Sequence, residues 1–298
     1  MMTLEEYQEK TLSTIQSYNS KDQENYFLGY LGLAGEAGSV LTTLKKFIRD
    51  GDGFGGFKES LKEELGDVLW YVATIASHNQ INLNDIAEAN ILKTRDRFQQ
   101  IALKEVPRFD EDYLEKFPDT FIVEFIEEKN TNDLMQVRMM WKKENDSSYD
   151  KLGDPLTDNS KFPNNYRYHD VFHLGHIAFL GWSPVMRSLM GLKRRSDETI
   201  LECEDRGRTQ VAEEAVTLLI YNYAKGNKML KKSDRIDTDI INTVKQLVTD
   251  LEVSLVSGYQ WELTILESYK VFHQIVENKG GKIQVSPKNR TLTYLGKQ

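Results

Sequence analysis

The first 106 residues contain no proline; the six prolines of the chain stand at 107, 118, 155, 163, 184 and 287. Proline removes a backbone donor and clashes with the preceding turn, so long proline-free sequence with apolar residues recurring every three to four positions specifies helices. The pattern predicts helices over roughly 3–18, 22–49, 58–79 and 83–104, with GDGFGGF (51–57) as the joint between the second and third. Four helices joined by short loops make a bundle or half of one.

After Pro107 the texture changes. PRFDEDYLEKFPD reads as a linker, residues 107–118, between an N-terminal part (1–106) and a C-terminal part (119–298). TFIVEFIEEK (120–129) alternates Phe121, Val123 and Phe125 with polar positions, and LMQVRMMWKK (134–143) does so with Met135, Val137, Met139 and Trp141. With the turn NTND between them, the two predict an antiparallel hairpin. The polar stretch 144–165 is expected to be a mobile loop. Helical spacing returns near 166–180, 207–225, 239–256 and 261–278, and GGKIQVSPKNRTLTYL predicts a second hairpin. The fold expected is mainly α: an all-α N-terminal bundle and a C-terminal α+β part with a small antiparallel sheet.

Charge and composition narrow the function. A formal charge of −8 disfavours a global grip on nucleic acid or an acidic membrane surface. More than half of that excess lies in the first 106 residues, which hold 11 basic and 16 acidic side chains. A single cysteine, Cys203, excludes an internal disulfide and a cysteine-rich zinc site. No apolar run is long enough to span a membrane, and the acidic start, MMTLEEYQEK, is unlike a signal peptide. A cytoplasmic protein with neither membrane nor nucleic-acid partner is expected.

On the second helix Glu36 lies along the apolar stripe Leu33, Ala37, Val40, Leu44 and Phe47. On the third, Glu64 and Asp67 interleave at i, i+3 with Leu61, Leu65, Val68, Val72 and Ile75. These acids either sit on solvated helix edges, paired with Lys45, Lys46 or Lys62, or hold a hard divalent cation. Magnesium suits the second reading, because it takes few carboxylates, keeps waters and is completed by phosphate oxygens. On the fourth helix Asn90, Lys93 and Arg97 share a face, which is either a wet side or a hold for nucleotide phosphates.

GLAGEAGSV (32–40), LKEELGDVLWYVATIA (61–76) and IAEANILKTRDRF (86–98), in order on three successive helices, resemble the MazG-like, all-α nucleoside triphosphate pyrophosphohydrolases. The resemblance covers roughly residues 1–104. It implies magnesium, or manganese in its place, bound by Glu36, Glu64 and Asp67, and phosphate or sugar contacts from Asn90 and Lys93, with Arg97 and Lys46 in support. It also implies cleavage of a nucleoside triphosphate, ribo or deoxy, between the α and β phosphates, giving monophosphate and pyrophosphate, in nucleotide clean-up or depletion. Glu63 or Glu64 is the candidate base, and Tyr26, Trp70 and Tyr71 are candidate aromatic neighbours of the nucleobase. The family pairs two acids on the first of these helices, where Ser39 stands for the second here. That departure leaves open a weakened site that senses nucleotide, and a phosphoribosyl-ATP-type substrate shares the same chemistry. Because four helices are few for a complete bundle, a homodimer or higher homo-oligomer is expected.

In YRYHDVFHLGHIAFLGW (166–182), His169, His173 and His176 fall at i, i+4, i+7 on one face. They form either a metal or phosphate site, with Asp170, Glu204, Asp205, Glu213 or Glu214 as partners, or a hydrogen-bonded core stripe. GLKRRSDE (191–198) faces either an anion or solvent. This half is similar to a C-terminal module that accompanies some MazG-like domains, a resemblance that carries no activity with it.

Overall fold

A computed structural model describes residues 2–15, 23–143 and 146–297, with the side chains of 23–26 left out. The chain divides into two compact units, 1–95 and 96–298, so the last three residues of the fourth helix belong to the second unit.

The first unit is helical, as the proline-free stretch requires. Helix α1 (Leu4–Leu12) opens with a capping box, in which Thr3 and Glu6 satisfy each other's backbone N–H groups. It is shorter than expected, and the end of its predicted span, 16–18, lies outside the described residues. Helix α2 (Gln23–Asp50) and helix α3 (Phe57–His78) pack along each other. A Cβ at Gly32 would lie 2.2 Å from the Tyr71 ring, so glycine there lets the two helices approach. At their joint Phe47 stacks on Phe57 with centroids 4.3 Å apart. Gln8 ties α1 to the start of helix α4 (Leu83–Phe98): its amide donates to the Ile81 carbonyl at 2.9 Å and accepts from the Leu83 N–H at 2.7 Å.

The apolar stripes of α2 and α3 do not form an enclosed core. Among the described residues up to 95, the buried hydrophobic side chains are Ala73, Ala76 and Leu83, whereas Leu44, Phe47 and Leu65 are 43%, 41% and 50% exposed. Four helices give each stripe too few neighbours within this unit.

The second unit is α+β. Strands β1 (Phe121–Lys129), β2 (Met135–Lys143), β3 (Asp150–Thr157), β4 (Gly280–Ser286) and β5 (Thr291–Gly296) form one antiparallel sheet in the order β3-β2-β1-β4-β5. The two expected hairpins are both present and share β1 and β4 as neighbours. Phe121, Val123 and Phe125 point inward as the alternation requires, with Val123 opposite Trp141 and Phe125 opposite Met139. Met135, at the strand end, is exposed. Strand β3 lies inside the stretch expected to be a loop. Its Pro155 and left-handed Gly153 are tolerated because β3 is an edge strand that is irregular against β2.

The segment 107–118 runs within this unit and is packed. Phe117 and Asp110 are buried, and Asp110 accepts from Arg187 at 2.8 Å and from the Phe117 N–H at 2.8 Å. The expected helix at 166–180 consists of a short 3-10 turn, helix α5 (Asp170–Gly175) and a π-helical turn over His176–Leu180 that ends at left-handed Gly181. Helices α6 (Pro184–Leu189), α7 (Glu198–Glu204), α8 (Gly207–Gly226), α9 (Thr238–Leu247) and α10 (Gly258–Glu277) complete the unit. Helix α10 packs on α5 and on the β4–β5 hairpin around Trp182, Trp261, Tyr269 and Phe272. A Cβ at Gly175 would lie 2.0 Å from Ser268 Oγ, so α5 approaches α10 there.

Candidate functional site

Glu36 stands midway along α2, and Glu64 and Asp67 stand one turn apart on α3. Close packing of the two helices brings one carboxylate oxygen from each within 4.8 Å of the others. Glu36 and Glu64 are half-buried and Asp67 is exposed. None of the three makes an ion pair with lysine or arginine among the described residues, so pairing with Lys45, Lys46 or Lys62 does not account for them. Three like charges at such separations repel by roughly 1 kcal/mol per pair even in water, and more where the site is half-buried. The donor set is all oxygen, without imidazole or thiolate, which fits a hard cation such as magnesium rather than zinc.

The surrounding residues divide. Ser39 is half-buried one turn after Glu36, and Glu63, about 100° around the helix from Glu64, is exposed and outside the trio. Asn90 and Lys93 are exposed on α4, and their side chains carry no hydrogen bond or ion pair among the described residues. Lys46 is exposed near the end of α2. Tyr7 of α1, which the sequence did not single out, has its phenol held above the ordinary value by burial and by the Asp67 carboxylate. Trp70 donates to Thr14 Oγ1 at 2.8 Å, Tyr71 packs at Gly32, and the Tyr26 side chain lies outside the described residues.

Arg97 is not a phosphate contact. It is 5% exposed, makes two bonds of 3.0 and 2.9 Å to the Glu262 carboxylate, and donates to the Ile236 carbonyl at 2.7 Å. A guanidinium with its donors spent on a buried carboxylate is not free to grip a nucleotide. The basic run at 191–198 is likewise structural at its centre, because Arg194 is buried between Asp205 and Glu252, at 2.8 Å from each.

His169, His173 and His176 are all buried, and they fall into two roles. Glu213 is fully enclosed on α8. Its Oε1 accepts from Nδ1 of His173 at 2.8 Å and of His176 at 3.0 Å, and its Oε2 accepts from the Val185 N–H at 2.9 Å. Burial opposes ionisation of Glu213, but the charge and hydrogen bond of His173 overcome it and hold the carboxyl at about 2. Burial holds His176 below the ordinary histidine value, and its ring lies against Trp182 and Trp261. His169 turns the other way, donating from Nδ1 to the Tyr166 carbonyl at 2.9 Å and stacking on the Tyr166 ring at 4.2 Å.

Comparison with known proteins assigns both units. Residues 29–102 match the MazG nucleotide pyrophosphohydrolase domain, and residues 104–298 match the MazG C-terminal domain. A relative, the Gene 37 protein of Mycobacterium phage L5, is 39% identical over 69 residues, 22% of this chain, and the match spans 60% of that protein's length. No solved structure matches. With both of its units matched in order, the chain belongs to the MazG family, a MazG nucleotide pyrophosphohydrolase domain followed by a MazG C-terminal domain.

Proposed function

We propose that the N-terminal unit is a magnesium-dependent pyrophosphohydrolase that converts a nucleoside or deoxynucleoside triphosphate and water into the monophosphate and pyrophosphate. The observation that carries this reading is the convergence of Glu36, Glu64 and Asp67 without a basic partner. Magnesium, or manganese in its place, bound by these three would neutralise phosphate charge and lower the pKa of a coordinated water. The chain's own groups do the rest. Lys93 and Asn90 take the phosphate tail and sugar, Lys46 adds positive charge, and Glu63 or Glu64 accepts the proton of the attacking water.

A second copy of the chain is proposed to complete the bundle. Leu31, Leu41 and Ile48 on α2 and Leu92 on α4 are exposed apolar positions that a partner's helices would cover. No described helix is long and apolar enough to cross a membrane, so these faces are not read as a span.

The test is pyrophosphate release from a panel of standard, deoxy and modified triphosphates with magnesium. Glu64→Gln and Asp67→Asn should each reduce turnover at least about 100-fold with the helical signal intact. Wild-type rates in either variant would reject the assignment. Ser39 favours a second reading, in which a site short of one acid binds nucleotide without turnover and the C-terminal unit responds. Binding of a triphosphate without release of pyrophosphate from any member of the panel would select it.

A further inference from the structure

His169, His173 and His176, in and around α5 of the second unit, have a geometry unlike that of a satisfied core stripe. His173 is fully buried, and its Nε2 has no hydrogen-bond partner. Asp170, in the same turn, is 5% exposed and makes no hydrogen bond among the described residues. Glu214, which follows the enclosed Glu213 on α8, is half-exposed and closes the group from the solvent side.

One donor atom from each of His169, Asp170 and His173 lies within 4.8 Å of the others. His169 Nε2 is 3.8 Å from Asp170 Oδ1 and 4.0 Å from Glu214 Oε2, while His173 Nε2 is 3.5 Å from Glu214 Oε1. These gaps are too long for hydrogen bonds. They match the separation of neighbouring ligands around one cation, about 3.4 Å for tetrahedral bonds of about 2.1 Å and more where the geometry is open.

The rings are also turned for ligation. A carbonyl and a carboxylate can only accept, so Nδ1 carries the proton in both His169 and His173. In the neutral ring Nε2 of each then faces the space shared with Asp170 and Glu214 with its lone pair, and on His173 a bound cation would take the place of the second proton. An imidazole whose far nitrogen donates to a carboxylate or carbonyl is the usual support for a metal-bound histidine. The neighbouring combination of His173, His176 and Glu213 does not compete, since its 2.8 and 3.0 Å contacts are hydrogen bonds and Val185 takes the remaining Glu213 oxygen.

We propose that His169, Asp170, His173 and Glu214 form a second metal site, in the C-terminal unit, for a borderline divalent cation of the zinc type, with Glu213 as its positioning residue. Two imidazole nitrogens select such a cation over magnesium. With Glu214 at the solvent side, the site stays open to water or to an oxygen-rich ligand. The π-helical turn that follows α5 is a common companion of functional sites. The proposal is independent of the pyrophosphohydrolase reading.

The experiment uses the full chain, loaded with zinc in excess magnesium, exchanged into metal-free buffer and analysed for bound metal by mass spectrometry. One zinc per chain is expected, with a rise in Tm of about 5–10 °C at saturating zinc. Asp170→Asn and Glu214→Gln, which keep side-chain shape, should lose the zinc and the Tm shift, whereas Glu64→Gln should keep both. Glu213→Gln should weaken zinc affinity about 10–100-fold at unchanged far-UV circular dichroism. No retained zinc in the wild type, or zinc lost in Glu64→Gln but kept in Asp170→Asn and Glu214→Gln, would overturn the proposal. Because Glu214 is half-exposed, its variant folds independently of the buried members and decides the matter even if Asp170→Asn is unstable.

Discussion

Replacing Arg97 by methionine separates two roles that the sequence leaves indistinguishable. On the helix face shared with Asn90 and Lys93 it looks like a phosphate ligand, yet the structure commits it to Glu262 through bonds of 3.0 and 2.9 Å and to the Ile236 carbonyl at 2.7 Å. Removing one partner of a buried ion pair costs about 3–5 kcal/mol, because the remaining charge stays desolvated. Glu262 would keep the Ile236 N–H at 2.6 Å and gain from Arg235, 3.8 Å away, which places the loss near the lower end, about 3 kcal/mol. That is roughly a 150-fold fall in the ratio of folded to unfolded molecules. The assay is urea unfolding followed by the fluorescence of Trp182 and Trp261, both buried in the same unit. Glu262→Met alone should cost a similar amount, and the double variant much less than the two together, with a coupling of about 2–3 kcal/mol. KM for the triphosphate should stay within about twofold in molecules that are folded. An unchanged urea midpoint with KM raised about tenfold or more would refute the structural role and restore Arg97 to the phosphate site.

Glu204 gives a pH-dependent prediction. Burial, and then the nearby Glu252 carboxylate, push its carboxyl up to about 7; its Oε1 accepts from the Glu252 N–H, and its Oε2 has no partner. A carboxyl raised in the folded state stabilises fully below its unfolded value and loses that contribution as pH rises through the folded one. Stability is therefore shed between about 4.5 and about 7. Glu204→Gln, which mimics the neutral acid, should raise stability at pH 8 by about 1–2 kcal/mol after solvent screening and change little near pH 4. A gain independent of pH in urea titrations would contradict this. Gly175→Ala should destabilise by about 1–3 kcal/mol, because its Cβ would meet Ser268 Oγ at 2.0 Å, and Ser268→Gly should recover part of the loss in the same melts. Ser39→Glu should lower the magnesium concentration giving half-maximal turnover several-fold if the missing acid limits metal binding. An unchanged magnesium titration would assign Ser39 no such role.

The parts legible in the sequence are those whose physics is local. The β1–β2 hairpin follows from the alternation of Phe121, Val123 and Phe125 and from the turn formers NTND between the strands, and Glu64 and Asp67 share a helix face because they are three residues apart. What was not legible depends on residues far away in the chain. Glu262 lies 165 positions from Arg97, so nothing near Arg97 announces its partner. Strand β3 contains the glycine and proline that usually mark loops, and only its place at the sheet edge makes them admissible. The histidine stripe was visible from its spacing, but its division was not. Glu213 and Glu214 are adjacent in sequence, yet one is enclosed and oriented by the Val185 N–H while the other faces solvent.

Periodicity identifies an apolar face but not what covers it, and the two units show the difference. In the second unit the inward faces of β1 and α10 meet each other's neighbours, and Phe121, Val123, Trp261 and Ile275 are buried. In the first, equally regular stripes leave Leu44, Phe47 and Leu65 substantially exposed, although the same period predicts a core. The acids placed among those stripes are therefore less deeply desolvated in one chain than the pattern suggests. A second copy covering α2 and α3 would lower the dielectric around Glu36, Glu64 and Asp67, strengthening their mutual repulsion and with it their demand for a cation. On the proposed association of two copies, magnesium affinity at this site should rise with protein concentration. Magnesium titrations by calorimetry above and below the association threshold test that coupling, and identical affinities in both would separate oligomerisation from metal binding.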